Sequence, residues 1–161
     1  GKGKTSAALG LAMRAAGHSL RVHITFFMKG DFPYGEQKSL ALLPNVSVGR
    51  FGKLEFVDPA NVTPEEKDQA RQALEDARRA VFSGEYDVVI LDEVNVAAAW
   101  KLIDVDEVVR LARQKPDGVE LVLTGRYAAQ SLVDVADLVT EMKEIKHPYG
   151  TGITSRKGLD Y

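Results

Sequence analysis

GKGKTSAALG, residues 1–10, is the stretch of this sequence that decides the fold. Within it, Gly3-Lys4-Thr5 matches the second half of the phosphate-binding loop motif G-x-x-x-x-G-K-[ST], and helix-forming alanine and leucine follow. Glycines let successive backbone N–H groups turn toward a phosphate, and the N-terminus of a helix adds partial positive charge. We predict that Lys4 reaches phosphate oxygens and that the Thr5 hydroxyl ligates Mg²⁺.

A phosphate-binding loop normally follows a buried β-strand. We therefore expect a segment with that strand and the first glycine of the motif to precede Gly1, and any targeting signal there would lie outside this sequence. Taken alone, so short a match also fits the lysine- and glycine-rich start of an ordinary helix.

A second motif lies in the middle of the chain. Residues 88–91 (VVIL) are wholly apolar and end in Asp92-Glu93. Carboxylates at the carboxyl tip of a central strand lie where α/β folds place ligands. We predict that Asp92 or Glu93 binds Mg²⁺ directly or through water. Strands that end in acids are common, but together with Lys4 this one favours a Mg²⁺–nucleotide site.

Three other polar residues are candidates for contact with the nucleotide. Thr124 and Arg126 follow the apolar residues 119–123, where a hydroxyl and a planar guanidinium would suit a phosphate chain. Arg126 fits a solvated loop arginine equally well. Arg14, on the predicted first helix, either points toward the nucleotide or lies on the polar face.

Strands and helices alternate along the chain, which predicts one α/β domain over residues 1–161, with a mostly parallel sheet and helices on both faces. The clearest element is a long helix that begins with a capping box at Thr63-Pro64-Glu65-Glu66 and ends at Ser83-Gly84. The other predicted elements are strands at 20–27, 46–51, 88–91, 119–123 and 138–142, helices at 6–16, 104–114 and 128–133, a loop at 29–37 and an extended tail from 146.

The composition excludes several classes of protein. The chain has no cysteine, which rules out disulfides, thiolate zinc sites and cysteine nucleophiles and fits a reducing cytoplasm. A net charge of −2 gives no global basic field for nucleic acid or an anionic membrane. No apolar run approaches the ~20 residues of a membrane span. We therefore expect a cytoplasmic protein that binds neither nucleic acid nor membrane.

Six segments along the whole chain carry a further signal when they are read together. They are GKGKTSAALGLAMRAAGHS (1–19), FFMKGDFPYGE (26–36), VVILDEVNVA (88–97), LTGRYA (123–128), ADLVTEMKEIKHP (136–148) and GLDY (158–161). Together they resemble the ATP:corrinoid adenosyltransferases of the CobA/CobO/BtuR type. The T-G-R-Y, V-T-E-M and terminal G-x-D-Y blocks are more particular to that family than the two generic nucleotide motifs.

The resemblance implies a RecA-like P-loop fold and a homodimer that transfers the 5′-deoxyadenosyl group of ATP to Co(I) of a reduced corrinoid, with release of triphosphate. The corrinoid would be cob(I)alamin or of the cob(I)inamide type, Mg²⁺ the cofactor, and flavodoxin or a reduced flavin the electron donor. Co(I) is itself a strong nucleophile, so the absence of an evident Ser/His/Asp arrangement fits this reaction.

The resemblance also assigns roles to residues. Thr5, Asp92 and Glu93 would serve Mg²⁺, and Phe56 is the candidate contact to the corrinoid in a segment, residues 51–58, where the family usually has a tryptophan. Lys4 and Arg126 would stabilise the leaving triphosphate. The expected nucleotide-binding set is Gly1, Lys2, Gly3, Lys4, Thr5, Ser6, Arg14, Thr124 and Arg126.

Two other functions share the same nucleotide motifs. A P-loop phosphotransferase or ATPase would also use Lys4, Thr5 and Asp92, but it needs a base or water-positioning residue near the γ-phosphate. A non-catalytic nucleotide-binding module would instead signal by ordering a loop such as residues 29–37.

Overall fold

A four-stranded parallel sheet forms the centre of the protein, as the alternating pattern predicts. The computed structural model describes residues 1–30, 32–53, 55 and 57–160. The spatial order of the strands is β2-β1-β3-β4, and every pair is parallel. The strands are β1 (Val22–Phe26), β2 (Val46–Arg50), β3 (Val88–Asp92) and β4 (Glu120–Leu123).

Helices cover both faces of the sheet, which confirms the predicted fold class. Among the residues that the structure describes, none of these helices is long and apolar enough to cross a membrane. The helices are α1 (Lys4–Gly17), α2 (Gly35–Leu40), α3 (Pro64–Phe82), α4 (Val94–Ala99), α5 (Val105–Gln114) and α6 (Gln130–Val133), followed by a short 3₁₀ helix at Pro148–Thr151.

Strand β1 divides its side chains between two cores because successive residues of a strand point to opposite faces. Val22, Ile24 and Phe26 pack on the α1 side with the alanines of that helix. His23 and Thr25 point to the α3 side, where they contact Asp76 of that helix. The carboxyl ends of β1 and β3 therefore lie between the helices on the two faces of the sheet. This packing fixes the position of the residues that follow the two strands.

The capping box that begins the longest helix is confirmed. The Thr63 hydroxyl accepts from the Glu66 backbone N–H, and the Glu66 carboxylate accepts from the Thr63 backbone N–H. Ala70, Leu74 and Val81 lie on one face of this helix and are buried against the sheet. The α3 helix is thereby anchored across β1, β2 and β3.

The predicted secondary structure differs from the observed one in four details. Residues 138–142 form no strand, because β-forming side chains without a neighbouring strand have nothing to pair with, and Leu138 is 83% exposed. The predicted loop at 29–37 gives way to α2 at Gly35. The short α4 helix, which starts directly after Glu93, was not predicted, and the tail contains a 3₁₀ helix.

A polar cluster between the sheet and α3 leads to a first prediction. His23 Nε2 lies 2.8 Å from Asp76 Oδ2, and the Thr25 hydroxyl donates to the same oxygen at 2.8 Å. Burial raises the pKa of Asp76, but these hydrogen bonds and the charge of Arg79 outweigh it, so the pKa lies below its ordinary 3.8. A carboxyl whose pKa is lowered by folding stabilises the fold above pH 3.8, and this contribution is lost as the pH falls through the lowered pKa.

We expect Asp76→Asn to cost about 1–2 kcal/mol at neutral pH, through the weakened hydrogen bonds, and less as the pH falls below 3.8. Urea unfolding of both proteins between pH 3 and pH 7 measures the difference. A difference in unfolding free energy that stays constant over this range would show that the Asp76 charge contributes nothing.

Candidate active site

The predicted phosphate-binding residues and the predicted acidic residues meet at one edge of the sheet. Phe26 of β1 lies beside Asp92 of β3 in the parallel register, so both strands end at the same level. The N-terminus of α1 lies at this edge, and the Thr5 hydroxyl donates to Asp92 Oδ2 at 3.2 Å. Two motifs 87 residues apart in sequence thus form one site.

The chain turns sharply at Gly3, directly before α1. Gly3, the N-cap of α1, has φ of +106°, which glycine adopts without strain, and its carbonyl accepts from Ala7 N–H at 2.8 Å. The Lys4 ammonium donates to the Gly1 carbonyl at 2.7 Å and so curls over the loop. A side chain at Gly1 would collide with the backbone of residues 142–144, which cross the loop.

Asp92 is held in a fixed orientation by Thr124. Asp92 is 1% exposed, and its Oδ1 accepts from the Thr124 hydroxyl at 2.7 Å. The same hydroxyl accepts from the Glu93 backbone N–H at 3.0 Å. Thr124 therefore joins the tips of β3 and β4 and orients the two acids, while its direct contact with a nucleotide stays a prediction.

Glu93 has two features of a functional residue. Its φ of +65° lies in the left-handed region, which costs energy for a side chain other than glycine and often marks functional sites. Burial, followed by the neighbouring charge of Asp92, raises the pKa of Glu93, although Lys29, Lys4 and Arg126 act in the opposite direction. The charges of Lys4 and Arg126 therefore both act on the Glu93 carboxyl.

Lys29 also belongs to this site, although no sequence motif predicted a role for it. Its ammonium donates to Asp92 Oδ2 at 2.7 Å and to the Thr5 hydroxyl at 3.2 Å. Burial lowers the pKa of Lys29, but the attraction and hydrogen bond of Asp92 outweigh it and raise the pKa. The sequence contains only part of the signal, a lysine just after a buried strand, because the pairing of that strand with the one ending in Asp92 is seen only in the structure.

The oxygen ligands at this edge suit Mg²⁺. Thr5, Asp92 and Glu93 offer one hydroxyl and two carboxylates, the hard donors that Mg²⁺ prefers. No cluster of three or more His, Cys, Asp or Glu side chains able to hold a metal exists among the described residues. That donor count fits a Mg²⁺ ion bound through one or two carboxylates, with substrate phosphates completing its octahedron.

The remaining predicted residues lie at varying distances from this centre. Lys2 forms an ion pair with Asp160 of the tail, and Ser6 is exposed in the first turn of α1. Arg126 is exposed just beyond β4. Arg14 is exposed in the last turn of α1, ten residues from Lys4 and so about 15 Å along the axis. Phe56 lies outside the described residues.

Replacing Glu93 by glutamine leads to the next prediction. Because the folded pKa of Glu93 is raised above its ordinary 4.5, the ionised form destabilises the fold at neutral pH, and this penalty grows as the pH rises through the folded pKa. Glu93→Gln should therefore raise the Tm of the protein at pH 7. The same change should weaken the affinity of the protein for Mg²⁺ in the presence of nucleotide by about 10-fold or more. Thermal unfolding and Mg²⁺ titration measure the two effects, and a lower Tm would contradict the first.

Comparisons with known proteins show the family of this chain. The model of the family ATP:corrinoid adenosyltransferase BtuR/CobO/CobP matches residues 1–161. A protein named corrinoid adenosyltransferase from Sinorhizobium sp. is 36% identical over all of this chain and 76% of its own length. Another of that name from Escherichia coli strain K12 is 30% identical over all of this chain and 81% of its own length.

An uncharacterized protein of Nostoc sp. is 38% identical over 94% of this chain, which spans 43% of that longer protein. The match with the family model extends from the phosphate-binding loop to the terminal tail, so it includes every segment that forms the site. This chain belongs to the ATP:corrinoid adenosyltransferase BtuR/CobO/CobP family.

Proposed function

We propose that this protein transfers the 5′-deoxyadenosyl group of ATP to the Co(I) of a reduced corrinoid and releases triphosphate. The observation that carries the proposal is the meeting of Thr5 with Asp92 at the end of β3, in a chain that matches the family over its whole length. The proposed substrates are ATP and a corrinoid of the cob(I)alamin or cob(I)inamide type.

The proposed reaction requires little chemistry from the protein. The electron pair of Co(I) attacks C5′ of the ribose, a cobalt–carbon bond forms, and the C5′–oxygen bond breaks with its electrons leaving on triphosphate. The nucleophile is the metal of the substrate, so neither a protein nucleophile nor a general base is needed. The protein contributes positioning, exclusion of water and neutralisation of the leaving charge.

The charges at the site support a protein that neutralises the leaving group and supplies no nucleophile. Lys4 and Arg126 both act on the field at Glu93, so both can lie close to a polyphosphate bound at the loop. Mg²⁺, held by Thr5, Asp92 and Glu93, would supply further charge neutralisation to triphosphate. The proposed nucleotide contacts are Gly1, Lys2, Gly3, Lys4, Thr5, Ser6, Arg14, Thr124 and Arg126.

The sheet topology supports the proposed position of the corrinoid-binding segment, residues 51–58. In the family, the nucleotide is expected to bind with reversed polarity, so that C5′ rather than the γ-phosphate is exposed. Strand β2 ends at Arg50, at the same edge as β1 and β3, so the segment 51–58 starts beside the nucleotide site. Phe56 in this segment is the proposed contact with the corrinoid.

Three features of the cellular context are proposed with the activity. Co(I) requires an electron donor, for which we propose flavodoxin or a reduced flavin. We propose a homodimer by analogy with the family. A cytoplasmic location fits the absence of cysteine from a chain that would work in a reducing compartment.

The identity of the phosphorus product tests the proposed reaction. An anaerobic mixture of protein, ATP, Mg²⁺ and reduced cobalamin should give triphosphate in equal amount to the new adenosylcorrinoid, measured by phosphorus NMR and visible absorption. A phosphotransferase or ATPase would give ADP without corrinoid. A protein that only binds nucleotide would give no product, and either outcome would overturn the proposed function.

A further inference from the structure

We propose that Lys29 is a tethered cation that competes with Mg²⁺ for Thr5 and Asp92, so that the metal enters the site together with nucleotide rather than alone. The proposal rests on the proposed function, since it assumes that this edge of the sheet binds Mg²⁺ and a polyphosphate.

The position of the Lys29 ammonium is the first observation. It lies 2.7 Å from Asp92 Oδ2 and 3.2 Å from the Thr5 hydroxyl, and those two oxygens are 3.2 Å apart. A Mg²⁺ ion bound to both oxygens at about 2.0–2.1 Å would compete with the ammonium for the same oxygens and would be repelled by its positive charge. The two cations therefore exclude each other, and Lys29 must move before Thr5 and Asp92 can both ligate the metal.

The backbone of Lys29 is fixed, which limits this movement to the side chain. Its N–H donates to the Phe51 carbonyl at 3.0 Å. The loops after β1 and β2 cross at Gly30 and Gly52, where a Cβ on Gly30 would collide with the Gly52 backbone. The Gly52 N–H in turn donates to the Gln69 side chain of α3 at 3.2 Å. The loop after β1 is therefore held to α3 through the loop after β2.

The surroundings of Lys29 determine what a displaced ammonium can do. The side chain is 13% exposed, and its nitrogen lies 5.3 Å from the centre of the Phe26 ring and 5.1 Å from that of Tyr34. Aromatic faces attract a cation only weakly compared with a carboxylate. The charge of Glu93 also acts on Lys29, but Glu93 is itself a proposed Mg²⁺ ligand. An ammonium displaced from Asp92 by the metal therefore needs another anion within reach of the lysine side chain, and the phosphates of a nucleotide bound at the Lys4 loop supply it.

Two consequences follow for the binding equilibria. Mg²⁺ alone must displace a paired, buried cation without compensation, so its affinity for the protein is weak. Mg²⁺ with nucleotide provides the displaced Lys29 with phosphate oxygens, so metal and nucleotide bind with positive cooperativity. Lys29 thus acts as a positioning and selectivity residue for the metal–nucleotide complex.

The closing experiment measures metal binding directly. Mn²⁺ replaces Mg²⁺, and the loss of the free Mn²⁺ signal in electron paramagnetic resonance gives the affinity of the protein with and without ATP, after correction for the Mn²⁺ that ATP binds in protein-free titrations. Lys29→Gln should bind Mn²⁺ alone about 10-fold or more tightly than the wild type, because a unit charge beside the acids is gone. The same variant should lose most of the cooperativity between Mn²⁺ and ATP.

Lys67→Gln is the matched control, because Lys67 is an exposed lysine of α3. It should behave as the wild type in every titration. Equal affinity of wild type and Lys29→Gln for Mn²⁺ alone, with tight binding of Mn²⁺ and ATP to both, would overturn the role of Lys29 and leave the nucleotide site standing. A wild type that binds no Mn²⁺ in the presence of ATP would overturn the proposed function as well.

A measurement on the wild type covers the case in which Lys29→Gln does not fold. Nitrogen-15 NMR of lysine side chains detects an ammonium protected by hydrogen bonds to Asp92 and Thr5. Mg²⁺ alone should leave this signal in place, and Mg²⁺ with ATP should shift it. A signal that stays unchanged when Mg²⁺ and ATP are bound would overturn the proposal without any substitution.

Discussion

Replacing Lys4 by alanine should lower kcat/KM for adenosyl transfer by at least about 100-fold. Lys4 lies in the first turn of α1 and curls over the loop to the Gly1 carbonyl, so its ammonium is within reach of phosphates bound there. In the proposed reaction, the charge that develops on the leaving triphosphate would need this cation more than ATP does in the ground state. The expected loss therefore falls on kcat as well as on KM.

Steady-state kinetics with reduced cobalamin, together with equilibrium binding of ATP, separate the two contributions. Lys38→Ala is the control, since Lys38 is an exposed lysine of α2 that belongs to no part of the site. It should keep the wild-type kcat/KM. Near-normal kcat/KM in Lys4→Ala would mean that the loop before α1 does not hold the leaving triphosphate.

The fold was largely predictable because its main signals are local. The capping box at Thr63 and Glu66 contains all the information needed to start α3, and the apolar stretch before Asp92 is long enough to identify a buried strand. Residues 138–142 show the limit of such signals. Their side chains favour extended structure, but whether a strand forms depends on a partner, which the local sequence does not specify.

The site was predictable to the same extent. Lys4, Thr5 and Asp92 belong to motifs whose spacing follows from phosphate chemistry, so their meeting could be expected. The contact between Lys29 and Asp92 could not, because it depends on β1 and β3 lying side by side although α2, β2 and α3 separate them in sequence. The hydrogen bond from Thr124 to Asp92 depends in the same way on β3 and β4 being neighbours.

Replacing Asp92 by asparagine should have the largest effect on stability. The carboxylate is 1% exposed and accepts from Thr5, Lys29 and Thr124. Asparagine keeps the shape but leaves the buried Lys29 ammonium without the carboxylate to which it donates. Breaking a buried ion pair from one side typically costs about 3–5 kcal/mol. We expect Asp92→Asn to lose that order of unfolding free energy and all detectable Mg²⁺-dependent adenosyl transfer.

A double variant separates the lost charge pair from the lost metal site. When both partners of a buried ion pair become neutral, the penalty of the isolated charge disappears. Asp92→Asn combined with Lys29→Met should therefore recover most of the unfolding free energy in urea titrations, and it should remain inactive because Asp92 is also the proposed Mg²⁺ ligand. Glu107→Gln, which breaks the exposed pair with Arg110, should leave stability nearly unchanged. A single Asp92→Asn variant as stable as the double variant would show that the Lys29 charge is not compensated by Asp92.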